Sequence, residues 1–500
     1  VWLLDPYDFT IAASGGDITG ATLSAALESN SVTIQTTASS ASCSGTVCGS
    51  GNSGGNGDIF VNDSVGWGSG FGLTLSAYRN INVNSIIAAS GSSASLTLTP
   101  NNTGYGGSYS IGSGGRIDLG GSSPSLTIAG QSYTVINSLG DFNDVITTTL
   151  QGMKNGLAGR YALGSTIDAS ATSGWDGGNG FLPVGNSTTQ FTGTLDGLGH
   201  VISGLTISRP GTSNVGLFGY ADGATIRNVG LTSATITGNS YVGSLAGRMD
   251  DSVSNISNSY SASAAISGAG FVGGLVGWIR GNISSSYSTG TATGTGATGG
   301  LSGANQFGQS NISNSYSSMN VSGNAAGGLV GGNDGIISKS YSTGTVTGTY
   351  AGGLVGQNHA GTILDSYSTG VITGSVYGGG LVGLAGPNDG FVTTITNSYS
   401  TGFIGGSGTK GGLVGLNQNI STITSSFWDT QTSGQANSPG GGTGKTTAEM
   451  QTALTYAGWS DAYWNIADGA YPTLKNMPLT VACPGYDNCW TGAIDSLWAT

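Results

Sequence analysis

Apolar residues recur along this chain in two rhythms, and neither is helical. Through the second half a glycine-flanked apolar phrase returns eight times. Clear copies are Gly273-Gly274-Leu275-Val276-Gly277, Gly328-Leu329-Val330-Gly331, Gly353-Leu354-Val355-Gly356, Gly380-Leu381-Val382-Gly383 and Gly412-Leu413-Val414-Gly415, and looser ones centre on Leu217, Leu245 and Leu301. These leucines return at a step of roughly 25 to roughly 32 residues, and a period in this range marks a solenoid, whose units bury their apolar side only by stacking on one another.

A second phrase keeps the same beat. Tyr260, Tyr287, Tyr316, Tyr341, Tyr367 and Tyr399 each sit in an x-Ser-Tyr-Ser context, and Ser425-Ser426-Phe427-Trp428 closes the series. Each unit holds about three short extended pieces separated by glycine, without the apolar run a helix needs. The unit reads as one rung of a parallel β-helix, an all-β fold in which like residues stack into columns at roughly 4.8 Å. The eight leucines are expected to form an interior column and the aromatics a second one, whose direction the alternation leaves open. Strict alternation would put Ile337, Lys339 and Tyr341 on one face, and an unpaired buried lysine is costly, so a corner or bulge is expected between Ile337 and Tyr341.

Residues 1–140 repeat differently. Alternating apolar pairs at Val32/Ile34, Ile59/Val61, Leu73/Leu75, Ile81/Val83, Leu96/Leu98, Ile117/Leu119 and Leu126/Ile128 suit shorter rungs, although a β-sandwich would give a similar pattern there. A transition segment, 141–210, opens with Val145, Ile146, Leu150 and Met153 at helical spacings, and 211–430 holds the glycine-leucine repeats. Within 431–475 the spacing Thr446 to Glu449 signals a helix start, and the aromatics suit a segment covering the open end of the stack. Residues 476–500 form a tail. About 18 to 21 rungs at roughly 4.8 Å each would make a rod on the order of 90 to 100 Å long.

Composition narrows the setting. Glycine supplies 94 of 500 residues, charged residues 7%, and the net charge is −12. So acidic a chain lacks the clustered Lys and Arg that phosphate recognition needs, which argues against nucleic acid. No continuous apolar run long enough to span a bilayer is present. Starting at Val1, the chain reads as a portion of a longer product. Cys43/Cys48 and Cys483/Cys489 suit two small disulfide loops rather than a metal site.

The catalytic inventory is thin. His200 and His359 read as turn or surface residues, and Glu28 and Glu449 are the only glutamates. Asp250/Asp251 and Asp58/Asp63 are the nearest approach to paired carboxylates, while Asp334 and Asp389 precede glycine in turn contexts. Gly440 to Thr446 fails as a phosphate loop because Pro439 stands where the first glycine belongs. Gly54 to Asp58 departs from a calcium-binding nonapeptide and is not repeated. The chain is therefore read as non-enzymatic, without cofactor or metal.

Trp2-Leu3-Leu4-Asp5-Pro6-Tyr7-Asp8-Phe9, Ser31 to Ile34, Gly57-Asp58-Ile59, Leu73 to Ala77, Ile81 to Asn84 and Phe191 to His200 resemble filamentous-haemagglutinin-like exoproteins of two-partner secretion systems. The later repeats are similar to the GLUG motif, and Phe427-Trp428-Asp429 through Trp464 and Tyr471-Pro472 resemble the close of such arrays. The resemblance implies a right-handed parallel β-helix and a surface-exposed or secreted Gram-negative adhesin, exported through an outer-membrane partner. The family's Asn-Pro-Asn secretion domain and an Arg-Gly-Asp are both absent from this chain.

Three functions are compatible with this reading. An adhesin stalk would contact host or bacterial glycans, proteins or matrix. A structural filament would self-associate. A β-helical carbohydrate-active enzyme would require three or more aspartates around a groove.

Overall fold

The computed structural model describes residues 2–4, 8–37, 56–102, 104, 106–306, 310–386, 392–418 and 421–478. One parallel sheet runs nearly the length of the chain, from Trp2–Leu4 to Thr422–Thr424, and contains sixteen strands. Its single antiparallel pairing joins Ser125–Ile128 to Gln131–Ile136. The architecture is an all-β parallel solenoid. Sixteen strands along this ladder are fewer than the expected number of rungs, in part because the segment after Asp429 adds one strand to the stack and otherwise packs along its flank.

Two further walls close the second half. A twenty-stranded sheet extends from Ile167–Asp168 to Thr443–Lys445, and an eight-stranded sheet from Phe218–Asp222 to Val414–Asn417. In the first half their places are taken by a four-stranded sheet ending on Phe9–Ile11 and a three-stranded sheet ending on Val65–Trp67. The sandwich alternative for residues 1–140 is thereby replaced by parallel stacking.

The strands are short because each rung must turn, and burial alternates along them with the two-residue period of a pleated strand. Gly72–Ser76 buries Leu73 and Leu75 and leaves its other residues half-exposed. The interior forms two apolar clusters, one drawn mainly from residues 9–128 and one from 136–428. They meet near the antiparallel hairpin.

Helices are peripheral. Gly20–Leu27, capped by the Thr19 side chain, packs Leu23 and Leu27 inward and had no counterpart in the sequence reading. The helical spacing after Asp141 becomes a 3-10 turn, Gln151–Asn155, which buries Leu150 and Met153 and leaves Val145 and Ile146 exposed. Thr446 and Glu449 make the reciprocal capping box of Thr447–Met450. The segment after Asp429 adds one more strand, Thr443–Lys445, to the stack. The rest folds back along the flank and packs Met450, Tyr456, Trp459, Trp464 and Leu474 against Tyr367 and Tyr399. It therefore covers a side of the solenoid as well as adding to its end.

Candidate functional site

Columns, rather than a pocket, organise the second half. Leu217, Leu245, Leu275, Leu301, Leu329, Leu354, Leu381 and Leu413 are fully buried. From Leu245 onward the N–H of each donates to the carbonyl of the next at 2.8–3.0 Å. A side chain at the preceding glycine would break this approach: a Cβ on Gly353 would run into the Gly380 carbonyl and the Ser368 hydroxyl. The same core holds an isoleucine column that the repeat phrases do not reveal. Ile226, Ile256, Ile283, Ile312, Ile337, Ile363, Ile395 and Ile423 pair in unbroken register, each the centre of a three-residue strand.

Two residues after each isoleucine the chain turns sharply. Asn258, Ser285, Asn314, Lys339, Asp365, Asn397 and Ser425 all have φ between 45° and 49°. This left-handed conformation resolves the lysine problem, since the corner falls at Lys339 and its ammonium lies 4.0 Å from the Tyr463 ring centroid. A corner of this kind interrupts the backbone ladder, and a buried N–H must find another acceptor. The next residue supplies it. Ser286, Ser315, Ser340, Ser366, Ser398 and Ser426 each accept the N–H of the preceding rung's serine at 3.2 Å. Each also donates to the carbonyl two residues back at 2.7–2.9 Å. Asn305, Asn333 and Asn358 form a second buried ladder, amide to amide at 2.8 Å.

The tyrosines follow this corner and stack face to face. Tyr260, Tyr287, Tyr316, Tyr341, Tyr367 and Tyr399 have successive centroids 4.8–5.0 Å apart with ring planes within 7°. Tyr399 pairs in register with Phe427. The column belongs to the flank, where the returning segment covers its C-terminal end: Trp464 Nε1 donates to Asp365 at 3.2 Å, and the Tyr399 hydroxyl donates to the Pro472 carbonyl at 2.7 Å. The serine after each tyrosine is buried, and the Ser288, Ser342 and Ser400 hydroxyls donate to carbonyls of Gly300, Gly353 and Gly412. Burial pushes the Tyr341 phenol up to about 12 and raises Tyr367 and Tyr399 further.

Two further columns run along the same sheet, the first turned outward and the second half-buried except for buried Ala325 and exposed Thr409. Ser208, Thr237, Ser267, Thr293, Ser322, Thr347 and Thr373 place a hydroxyl on seven successive turns. Three or four residues later comes Tyr241, Phe271, Ala297, Ala325, Tyr350, Tyr377 and Thr409. This column carries two stacked aromatic pairs, Tyr241 with Phe271 at 5.4 Å and Tyr350 with Tyr377 at 5.8 Å. Tyr241 holds φ 59°, and the register-equivalent Asn214 holds φ 60°. Asparagine tolerates that region, whereas an aromatic there is strained. The Arg248 guanidinium lies beside the first pair, 4.4 Å from Trp278 and 5.0 Å from Tyr220, and pairs with Asp250 at 2.7 Å. A shallow open groove runs across four rungs between Ser322 and Ser407, lined by Ser, Thr and Gly.

The charged candidates lie elsewhere and apart. His200, expected as a turn or surface residue, follows a turn and is buried because it packs where the two cores meet. Its Nε2 lies 2.8 Å from the Ile117 carbonyl and 3.3 Å from Asp118, and burial lowers its pKa. Beside it Asp196 is fully buried, bonded to Tyr109, Arg227 and Asn228. Asp58 pairs with Arg79, and its carboxyl stays below the usual range although burial opposes this. His359 lies 3.5 Å from Asp334. Among the described residues no three His, Cys, Asp or Glu side chains converge to hold a metal, and no helix is long and apolar enough to cross a membrane. Cys43, Cys48, Cys483 and Cys489 lie outside the described residues.

Residues 130–259 match the family described as the M26 IgA1-specific metallo-endopeptidase N-terminal region, and 322–347 and 347–373 match the GLUG motif. The first match, about a quarter of the chain, corrects the reading of the chain as non-enzymatic: that stretch is similar to the N-terminal region of a metallo-endopeptidase family. The metal that such a peptidase carries finds no ligand set among the described residues, so no metal chemistry is assigned to them. Halomucin of Haloquadratum walsbyi is 45% identical over 116 residues, 21% of this chain and 1% of halomucin. A Gly-rich membrane protein of Evansella cellulosilytica is 32% identical over 113 residues, 22% of this chain and 13% of that protein. This chain thus spans a small part of either relative. A Bacteroides ovatus structure described as an immunoglobulin A1 protease is 18% identical with a TM-score of 0.34, covering 69% of this chain and 92% of that one. A second IgA1 protease structure is 17% identical with a TM-score of 0.29, covering 61% and 21%. Likeness this loose carries nothing about activity.

Proposed function

We propose that this chain is the extended solenoid of an extracellular or cell-surface protein and that its side walls serve attachment to cells, glycans or matrix. The observation that carries the reading is the unbroken register of an outward hydroxyl column over successive turns, with two stacked aromatic pairs beside it. A rigid stack repeats one contact at fixed spacing, so weak contacts add along its length. The surface setting is supported by the GLUG matches and by the two partial relatives, a halomucin and a Gly-rich membrane protein. Export through an outer-membrane two-partner-secretion transporter in a Gram-negative bacterium rests on the haemagglutinin-like motifs alone. Beads coated with the chain should adhere to glycan-bearing cells or extracted matrix, and no adherence above albumin-coated beads would refute the reading.

The match over residues 130–259 favours a second reading, in which the solenoid is the arm of an extracellular peptidase and holds its protein substrate. Retention of immunoglobulin A1 by the immobilised chain, with no retention on glycan surfaces, would select it. Lateral self-association into filaments is the third outcome, visible as continuous fibres in electron micrographs.

A further inference from the structure

Resting on the attachment reading, we propose that the wall bearing Thr347, Thr373, Tyr350 and Tyr377 binds a linear, neutral polysaccharide laid along the solenoid axis. Four observations converge on this wall. The groove beginning at Ser322 is open and is lined by hydroxyls and glycine backbone without a charged side chain, which suits a neutral, hydroxyl-rich ligand and disfavours an anionic one. Ser322, Thr347 and Thr373 face solvent, and their hydroxyls have no protein partner among the described residues. Tyr350 follows the groove residue Thr349, Tyr377 lies two residues after Ser375, and the two half-buried rings are stacked at 5.8 Å. An aromatic face is electron-rich and attracts the weakly positive axial C–H bonds of a pyranose.

The fourth observation is spacing. An extended chain of equatorially linked pyranoses advances by about 5 Å per ring, close to the ~4.8 Å between rungs, so each sugar would meet the same pair of columns as the one before. The aromatic pairs stand at either end of a floor made by Ala297 and Ala325. From Tyr241 to Tyr377 is five rung steps, roughly 24 Å, the length of about five or six rings. Tyr241 accepts strain where the preceding turn uses asparagine, and the Arg248 guanidinium 5.4 Å from its ring helps to hold it in place.

Calorimetry on the whole chain with cellohexaose, an extended chain, and maltohexaose, a helical one, tests the assignment. Cellohexaose is expected to bind at least tenfold more tightly than maltohexaose. The Tyr350→Ala/Tyr377→Ala double variant should lose tenfold or more, Thr347→Val/Thr373→Val about threefold, and Tyr350→Phe/Tyr377→Phe less than twofold, all with unchanged circular dichroism and melting. Equal affinity of the alanine variant overturns this wall while leaving attachment intact. Absence of cellohexaose binding also overturns it, and bead adherence in that case shows that attachment uses another ligand or face.

Discussion

The two halves of the solenoid solve the same stacking problem with different means. In residues 9–128 a strand such as Gly72–Ser76 or Ser95–Thr99 turns two apolar side chains inward, Leu73 with Leu75 and Leu96 with Leu98. In the second half the corresponding strand is three residues long and offers one, as Ile283 does in Asn282–Ser284. What the second half gives up in apolar burial it recovers in ladders: serine at the corner, asparagine in the wall, and tyrosine on the flank. Such ladders work only if the same side chain returns at the same corner, and this is where the sequence repeats. The first half needs only apolar residues of roughly the right size, and its sequence drifts accordingly.

Alkaline pH should separate the halves most strongly. The buried phenols of Tyr341, Tyr367 and Tyr399 have folded pKa values above the ordinary value of about 10. A raised folded pKa gives stability that is fully present below the unfolded value and is lost as pH rises through the folded one. Hydrogen exchange should therefore accelerate above pH 10 in residues 260–474 and at the junction, where Tyr109 and Tyr133 are also raised, while residues 59–76 stay protected. Uniform alkaline melting would contradict the contrast.

Core truncation comes next. Leu354→Ala leaves a cavity in a fully buried column and should cost about 2–5 kcal/mol. Denaturant melts followed by exchange should place that loss within residues 136–428 and spare the first half. Ser340→Ala is a smaller and more specific cut: it deprives the Ser315 N–H of its acceptor and should cost about 1–3 kcal/mol. Tyr316→Leu, which keeps an apolar side chain but interrupts the stack, should cost about 0.5–1.5 kcal/mol in the same melts. Smallest is Thr74→Ala, at an outward site in the first half, at about 0.5 kcal/mol or less.

The solenoid was legible in the sequence because its defining signal is periodic: leucines that return at a nearly constant step, each beside glycine. The corner between Ile337 and Tyr341 was legible too, from the cost of burying Lys339. What escaped were residues whose role depends on the neighbouring turn. Ser340 looks like any loop serine until Ser315 and Ser366 are placed above and below it. The isoleucine column was hidden because a three-residue strand shows no alternation of its own. Thr347 and Tyr350 had no visible role, since the face they build comes from different rungs. The direction of the tyrosines required knowing where residues 447–474 return, and that contact spans up to 99 residues of sequence. The peptidase connection was missed because residues 130–259 contain no catalytic motif to signal it.

The central claim is that equal columns rise along one axis, and distances between spin labels measure this directly. With the four native cysteines replaced by serine, cysteines at Ser267, Thr237 or Ser208, each paired with one at Thr373, stand four, five and six turns apart. Double electron-electron resonance should give about 19, 24 and 29 Å, a constant increment near 4.8 Å per turn. Distances that fail to grow with each added turn would contradict the stack.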